Sequence, residues 1–406
     1  MPVAQGIKKV TVMALQTALG TPNVTSGQIL RRKSSIFKAD RDMFESDEIV
    51  SHHQSTGASY GLKKADGKLE GLLSAKTYQM PFEGILEADA VTIAPYAAGI
   101  DVTAAASSPQ FVDASAGFLT AGLKVGMVGR WTGFAGGGAT ANNDRNFLIT
   151  ALTASNMTGV FLDGTAVVAD AAGDTVTFTT TGQVVTPPLT GHLNNYYTFE
   201  EWYADITKSE LFADCKVASI SVGLPATGNA TISFDVIGRS RTLASGAKAI
   251  ATHVAETTTA VMTAINGFIY VNGTVAGNMT GAQIEISNGA ASVGAVVGSN
   301  STPDVSTGRI KVSGSFSGLF DATTFQAFYD AETNISLVLV LTADQTATSN
   351  FMSFALGRIK ITGDAPDDGE KSILRTYPFI AELNSAGGAS LAWPQAIIQV
   401  QDSAAT

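Results

Sequence analysis

Over most of its length the chain alternates apolar with small polar residues. Val217-Ala-Ser-Ile-Ser-Val-Gly-Leu and Thr231-Ile-Ser-Phe-Asp-Val-Ile-Gly both follow this pattern, that of a strand buried on one face only. Turn-forming Pro225-Ala-Thr-Gly-Asn lies between them, so the two runs are predicted to form a β-hairpin. Similar runs elsewhere predict a mainly β protein.

One alternating stretch occurs twice. Residues 61–79 and 308–326 align at a constant offset, 314 − 67 = 247. Gly67 then matches Gly314, Gly71 matches Gly318, Leu72 matches Leu319, Leu69 falls on Phe316, and Tyr78 on Phe325. Each copy reads as a strand that meets a capping residue, Ser74 or Asp321, and passes into an amphipathic helix. Tyr78, Phe82, Ile85 and Leu86 mark the apolar face of the first helix, and Phe325, Phe328 and Tyr329 that of the second. Pro81 requires the first helix to begin near Met80, because proline is tolerated only in the first turn. A second echo follows each copy: the hairpin over 215–239 resembles Phe354–Gly363, the Asp-rich turn Ala365-Pro-Asp-Asp-Gly, and Leu374–Ala381.

The repeat predicts two copies of one domain, residues 1–104 with 191–245, then residues 246–400, with 401–406 as a tail. Residues 105–190 have a different texture. Short runs such as Phe147-Leu-Ile-Thr-Ala-Leu and Thr175-Val-Thr-Phe-Thr, separated by Gly and Asn, predict a small inserted all-β domain that projects from the main body.

Composition narrows the function. The chain has 406 residues, 45% hydrophobic and only 15% charged, so it is folded throughout, with a surface rich in neutral side chains suited to burial against other subunits. A net charge of −10 supplies no basic footprint for specific DNA binding. The single cysteine, Cys215, rules out an intrachain disulfide. The N-terminus lacks a charged segment followed by an apolar core, and no run of about 18 apolar residues appears, so cytoplasmic synthesis and no membrane partner are expected.

Three stretches resemble the major tail tube proteins of long, non-contractile-tailed bacteriophages. They are Ala14-Leu-Gln-Thr-Ala-Leu-Gly-Thr-Pro; Leu30-Arg-Arg-Lys-Ser-Ser with Glu45-Ser-Asp-Glu-Ile-Val-Ser and Gly67-Lys-Leu-Glu-Gly-Leu-Leu; and Phe199 to Gly238. The resemblance implies two tandem β-sandwich or barrel domains, each with a flanking short helix, that oligomerise so that strands line a channel. Six such domains form a ring in that family, so a duplicated chain implies three chains per ring. It further implies stacked rings, a conduit for DNA ejection, contact with tape measure, terminator and tip proteins, and assembly in the host bacterial cytoplasm into a virion tail. By the same resemblance the segment between Phe37 and Tyr60 is an arm to a neighbouring ring. Its polar, acidic run Lys38, Asp40, Arg41, Asp42, Glu45, Asp47 and Glu48 has little to bury in its own domain. The inserted domain is then expected on the tube exterior, and acidic strands in the channel would repel DNA phosphates.

No catalytic, metal or cofactor site is predicted. Adjacent His52 and His53 would point to opposite faces of a strand. The Gly61-x5-Gly67-Lys68-Leu69 run is one residue too long for a phosphate loop and lacks its Ser or Thr. The loop at Gly136-Gly-Gly opens no helix and its amides are not expected to meet an anion. Glu200, Glu201 and Asp205 read as solvated acids, and Cys215 as a buried small residue. Two rivals remain: another phage structural part, such as a decoration or terminator protein, and a carbohydrate-binding β module using Trp131 and Trp202 as exposed platforms.

Overall fold

The computed structural model describes residues 3–107, 109–367, 370 and 372–406 and is mainly β. Its N-terminal half contains β1 (Lys9–Leu15), β2 (Ser34–Glu45), β3 (Ala58–Leu72), α1 (Gln79–Leu86), β4 (Tyr197–Tyr203), β5 (Lys208–Leu224) and β6 (Thr231–Gly238). These strands pair antiparallel in the order β2–β3–β6–β5–β4–β1. The C-terminal half contains β7 (Gly267–Val271), β8 (Met279–Ser287), β9 (Lys311–Leu319), α2 (Thr324–Asp330), β10 (Ile335–Thr342), β11 (Phe351–Ile361), β12 (Ala365–Pro366) and β13 (Leu374–Ala381). Here the antiparallel order is β8–β9–β13–β11–β10–β7. Asp368 and Gly369 of the Asp-rich turn lie outside the described residues.

The two ladders match residue by residue. Gly67 pairs with Phe37 and Gly314 with Ile284, again 247 apart (284 − 37). A register shift against β5 between Tyr197 and Phe199 recurs against β11 between Ile335 and Leu337. At Gly67, Gly71 and Gly314 an aromatic ring lies on the strand, whereas at Gly318 the atom nearest an added Cβ is Met279 Sδ. A Cβ on Gly67 would sit 2.3 Å from the Phe37 ring, and one on Gly314 2.1 Å from the Gln283 carbonyl oxygen and 2.6 Å from Phe379 Cζ. Leu69 and Phe316 are fully buried, whereas Leu319 is largely exposed.

Each half folds its sheet over on itself. The Phe37 ring stands 5.0 Å from Phe199 and 5.2 Å from Phe212, which places β2 face to face with β4 and β5. The 17-residue β5 serves both layers: residues 208–212 and 215 pair with β4, and 216–217 and 219–223 with β6. One continuous apolar core runs through both halves, and Phe82 of α1 reaches Phe354 of β11 at 5.8 Å.

The helices begin differently from the expectation. Neither Ser74 nor Asp321 caps: the residues before α1 and α2 are Tyr78 and Thr323, with no side-chain cap. Ser74 is buried and shares a 2.7 Å hydrogen bond with Thr77, while Asp321 accepts from Asn278 at 2.6 Å. Pro81 falls in the first turn of α1, where its missing N–H leaves no helical bond unmade. The face Tyr78, Phe82, Ile85, Leu86 is fully buried. In α2 only Phe325 and Phe328 reach the core, and Tyr329 is exposed, because this seven-residue helix makes one short pass over β9 and β13.

The inserted region forms a separate seven-stranded antiparallel sheet from Tyr96 to Thr180. It does not project freely. Its aromatic core of Phe111, Trp131, Phe147 and Phe178 continues into Tyr270, Val338 and Val340, so β10 is buried on both faces, with Leu337, Leu339 and Leu341 in the main core. The Lys124 ammonium, buried enough to lower its pKa, donates to the carbonyls of Gly388, Ala389 and Leu391. Nor are the last residues a loose tail. Gln399–Asp402 (β14) pairs with β11 and with Gln183–Val185, and the buried Gln401 amide bonds both backbone groups of Val128.

Candidate functional site

Eight strands run side by side across both halves: β2, β3, β6, β5, β8, β9, β13, and the continuous β11–β12. The halves are joined within this run, where Ser219–Leu224 of β5 pair antiparallel with Ala282–Ser287 of β8. Alternation sends Leu69, Phe234, Ile220, Ile284, Phe316 and Tyr377 into the core. The intervening residues form one broad open face.

That face is neutral and hydroxyl-rich. Ser219, Ser221, Thr231, Ser233, Ser313, Ser315, Ser317 and Thr376 occupy its centre. Several of its charges are paired side by side, Lys38 with Asp40 at 2.7 Å, Lys68 with Glu70 at 3.1 Å, and Lys64 with Asp42 at 3.0 Å, while the exposed Asp235 and Glu285 of the same face make no ion pair among the described residues. The Asp40 carboxylate raises the pKa of Lys38; Lys68 and Glu70 shift each other up and down respectively. Lysines thus sit beside acids on the same strands of this face.

Both margins of the run are open. Among the described residues, β2 pairs only with β3, and β12 only with β13. Beyond Asp40, β2 and β3 continue as a two-stranded hairpin in which Glu45 faces Ala58 and Arg41 lies over the Tyr60 ring at 5.3 Å. Asp47 and Glu48 are exposed at its tip. Lys38 and Asp40, by contrast, belong to the main sheet. The hairpin is less polar than its acidic run suggests: Met43, Phe44, Ile49 and Tyr60 are all more than half exposed. Sequence reasoning missed these residues, although Met43-Phe44 inside a charged run was the available signal.

A second unforeseen feature fixes the linker between the halves. Glu200 is not solvated but fully buried. It accepts from Ser209 Oγ (2.6 Å), Ala249 N (2.7 Å), Ile250 N (3.0 Å) and His253 Nε2 (2.8 Å). Glu201, on the other face of β4, meets Lys9 at 2.5 Å and Ser35 Oγ at 2.6 Å. Each carboxylate is thus satisfied inside the fold, which suits it to holding chain segments together rather than to general acid–base work. The Gly136 loop also departs from expectation: Ala135 N and Gly136 N both donate to the Asp174 carboxylate, so its amides do hold an anion, one of this chain's own.

The remaining candidates offer no exposed chemistry. Cys215 is buried, and burial pushes its thiol pKa up, away from the reactive thiolate. Trp131 is fully buried and Trp202 nearly so, which removes both as sugar platforms. Among the described residues no group of three His, Cys, Asp or Glu is placed to hold a metal, and no helix is long and apolar enough to cross a membrane.

The sequence signature of the family described as phage tail tube protein matches residues 6–381. The chain belongs to that family. No curated protein is significantly similar to it in sequence. The match makes this tail tube protein a structural component of a phage tail, with the self-association that such a role entails. The match also spans both halves and the inserted sheet, so the eight-strand run, its open face and its margins all lie within the matched residues.

Proposed function

We propose that this tail tube protein closes into rings of three chains that stack into the tail tube, the conduit for DNA ejection. One observation carries the reading: the two halves repeat the same strand order and register and already lie side by side in one sheet with both margins open. Three copies extend that sheet to about 24 strands. At ~4.8 Å between strands, a cylinder of that circumference is roughly 37 Å across between backbones before strand tilt widens it. The open face is then the lumen. Its hydroxyls and locally paired charges give DNA phosphates no basic patch to hold, which suits passage without specific binding.

The inserted sheet packs on the side of β7 and β10 remote from the open face, which supports a place on the tube exterior. The tip of the β2–β3 hairpin beyond the Glu45–Ala58 pair, with Ile49 uncovered, is suited to contact a neighbouring ring, as are tape measure, terminator and tip proteins to contact the tube ends. Negative-stain microscopy with solution mass tests the ring: hollow tubes, or three-chain rings of six-fold appearance, are expected, and a stable monomer refutes it. Replacing residues 46–57 by Asn-Gly, a turn matched to the Glu45–Ala58 pair, is expected to leave folded subunits and rings that no longer stack. Unimpaired tubes would dismiss the arm.

A further inference from the structure

We infer that the joint between chains copies the joint inside the chain, residue for residue, with Gly363–Asp367 of one copy pairing antiparallel with Ile36–Asp40 of a second. The inference rests on the ring reading above and specifies its interface.

The internal joint pairs Ser219 with Ser287, Ile220 with Ile286, Ser221 with Glu285, Val222 with Ile284, and Gly223 with Gln283. Each side has an equivalent that is left open. On the β8 side the offset is 247, so Gln283–Ser287 correspond to Ile36–Asp40 of β2. On the β5 side, Val217 faces Val236 as Ile361 faces Phe379, an offset of 361 − 217 = 144. A one-residue shift against β6 follows Val217, and a matching one follows Ile361: Thr362 N bonds Pro378 O, but Asp367 N bonds Leu374 O. Ser219–Gly223 therefore correspond to Gly363–Asp367. Applying the internal pairing to the two open segments gives Gly363–Asp40, Asp364–Ala39, Ala365–Lys38, Pro366–Phe37 and Asp367–Ile36.

The surroundings of the joint support a missing neighbour. In the first half, Lys63 N donates to Asn300 O at 2.9 Å and Arg239 Nε to Thr302 O at 2.6 Å, so the segment that follows β8 covers this site. Their equivalents, Ile310 (63 + 247) and Glu382 (239 + 143), line an open groove of about 940 Å³ with Ile380, Leu383 and Ile397. In a second copy paired as above, the segment following Asp40 is the base of the hairpin, Arg41–Glu45, which carries exposed Met43 and Phe44. Pro366 adds a restraint. Because Asp367 N points to β13, the nitrogen of Pro366 faces the open margin and donates nothing. The free margin is thereby a poor template for indiscriminate strand addition.

Ala365 and Lys38 would form a non-hydrogen-bonded pair, the geometry in which Cβ atoms come closest and a disulfide can close. The full-length Lys38→Cys/Ala365→Cys protein, assembled and mildly oxidised, is expected to give interchain disulfides ending at a three-chain species on non-reducing gels. Lys38→Cys with Asp367→Cys, two residues out of register on the same face, should crosslink at least tenfold less. Ser221→Cys/Glu285→Cys is the internal counterpart and should crosslink within one chain. If the cysteine variants fail to assemble, wild-type tubes treated with a zero-length carbodiimide are expected to join Lys38 to Asp367 of another chain. Tubes that form but crosslink in a different register, or at other strands, overturn the joint and leave the ring standing; wild-type protein that forms no rings at all overturns both.

Discussion

Replacing Gly71 by Ala separates the two halves of the repeat by a single methyl group. A Cβ on Gly71 would lie 1.9 Å from the hydroxyl oxygen of Tyr78, which is fully buried and donates a 2.7 Å hydrogen bond to Arg31 O. The phenol cannot move by the required ångström without breaking that bond, which costs about 1 kcal/mol. Displacing a close-packed ring adds about 1–3 kcal/mol of strain, for a total of about 2–4 kcal/mol. At the equivalent Gly318, the nearest atom to a Cβ is Met279 Sδ at 2.9 Å, the flexible part of an adaptable side chain, so Gly318→Ala should cost less than about 1 kcal/mol. Urea unfolding of unassembled subunits measures both. Adding Tyr78→Phe to Gly71→Ala removes the clashing oxygen and should recover part of the loss, a coupling that a double-mutant cycle reads directly. Equal costs at the two glycines, or strict additivity with Tyr78→Phe, would refute the steric account.

Other outcomes follow from the buried acids. Asp402 is buried and its pKa is raised from 3.8 to about 6. The stability linked to it is therefore present below 3.8 and lost as pH rises through 6. Relative to wild type, Asp402→Asn should gain about 2 kcal/mol between pH 4.5 and 7.5, as measured by urea midpoints; a parallel pH dependence in both proteins would contradict this. Glu200→Ala strands four donors, including His253 and the amides of Ala249 and Ile250. It should cost about 3–5 kcal/mol and speed proteolysis between residues 246 and 266, whereas an unchanged cleavage rate would show that the linker is held by other contacts.

What the sequence revealed depended on whether a residue's role was local. Most of the glycines and aromatics at offset 247 were legible because a ring lying on a strand demands glycine beneath it, as at Gly67, Gly71 and Gly314, and the period-two runs because a half-buried strand has no other pattern. Glu200 and Glu201 were misread as solvated because their partners come from residues 9, 35, 209 and 249–253, pairings that only the assembled sheet creates. Trp131 was misplaced for the same reason: its four aromatic neighbours, Phe111, Phe118, Phe134 and Phe178, are gathered by the inserted sheet, not by adjacency. The seat of that sheet on β10 was hidden because a strand buried on both faces loses its alternation. The open margins could be inferred only once the register was known, since an unpaired edge leaves no mark on composition.

The joint between β5 and β8 is made once, during folding, by two segments tied to one backbone and fixed by the Glu200 clamp on the linker. Such tethering replaces an encounter between free subunits with an event at high effective concentration. Each encounter avoided spares an association about 4–15 kcal/mol in lost translational and rotational freedom. In the proposed three-chain ring, carrying both halves on one chain would therefore move part of the work of assembly to synthesis and lower the subunit concentration at which a first ring nucleates.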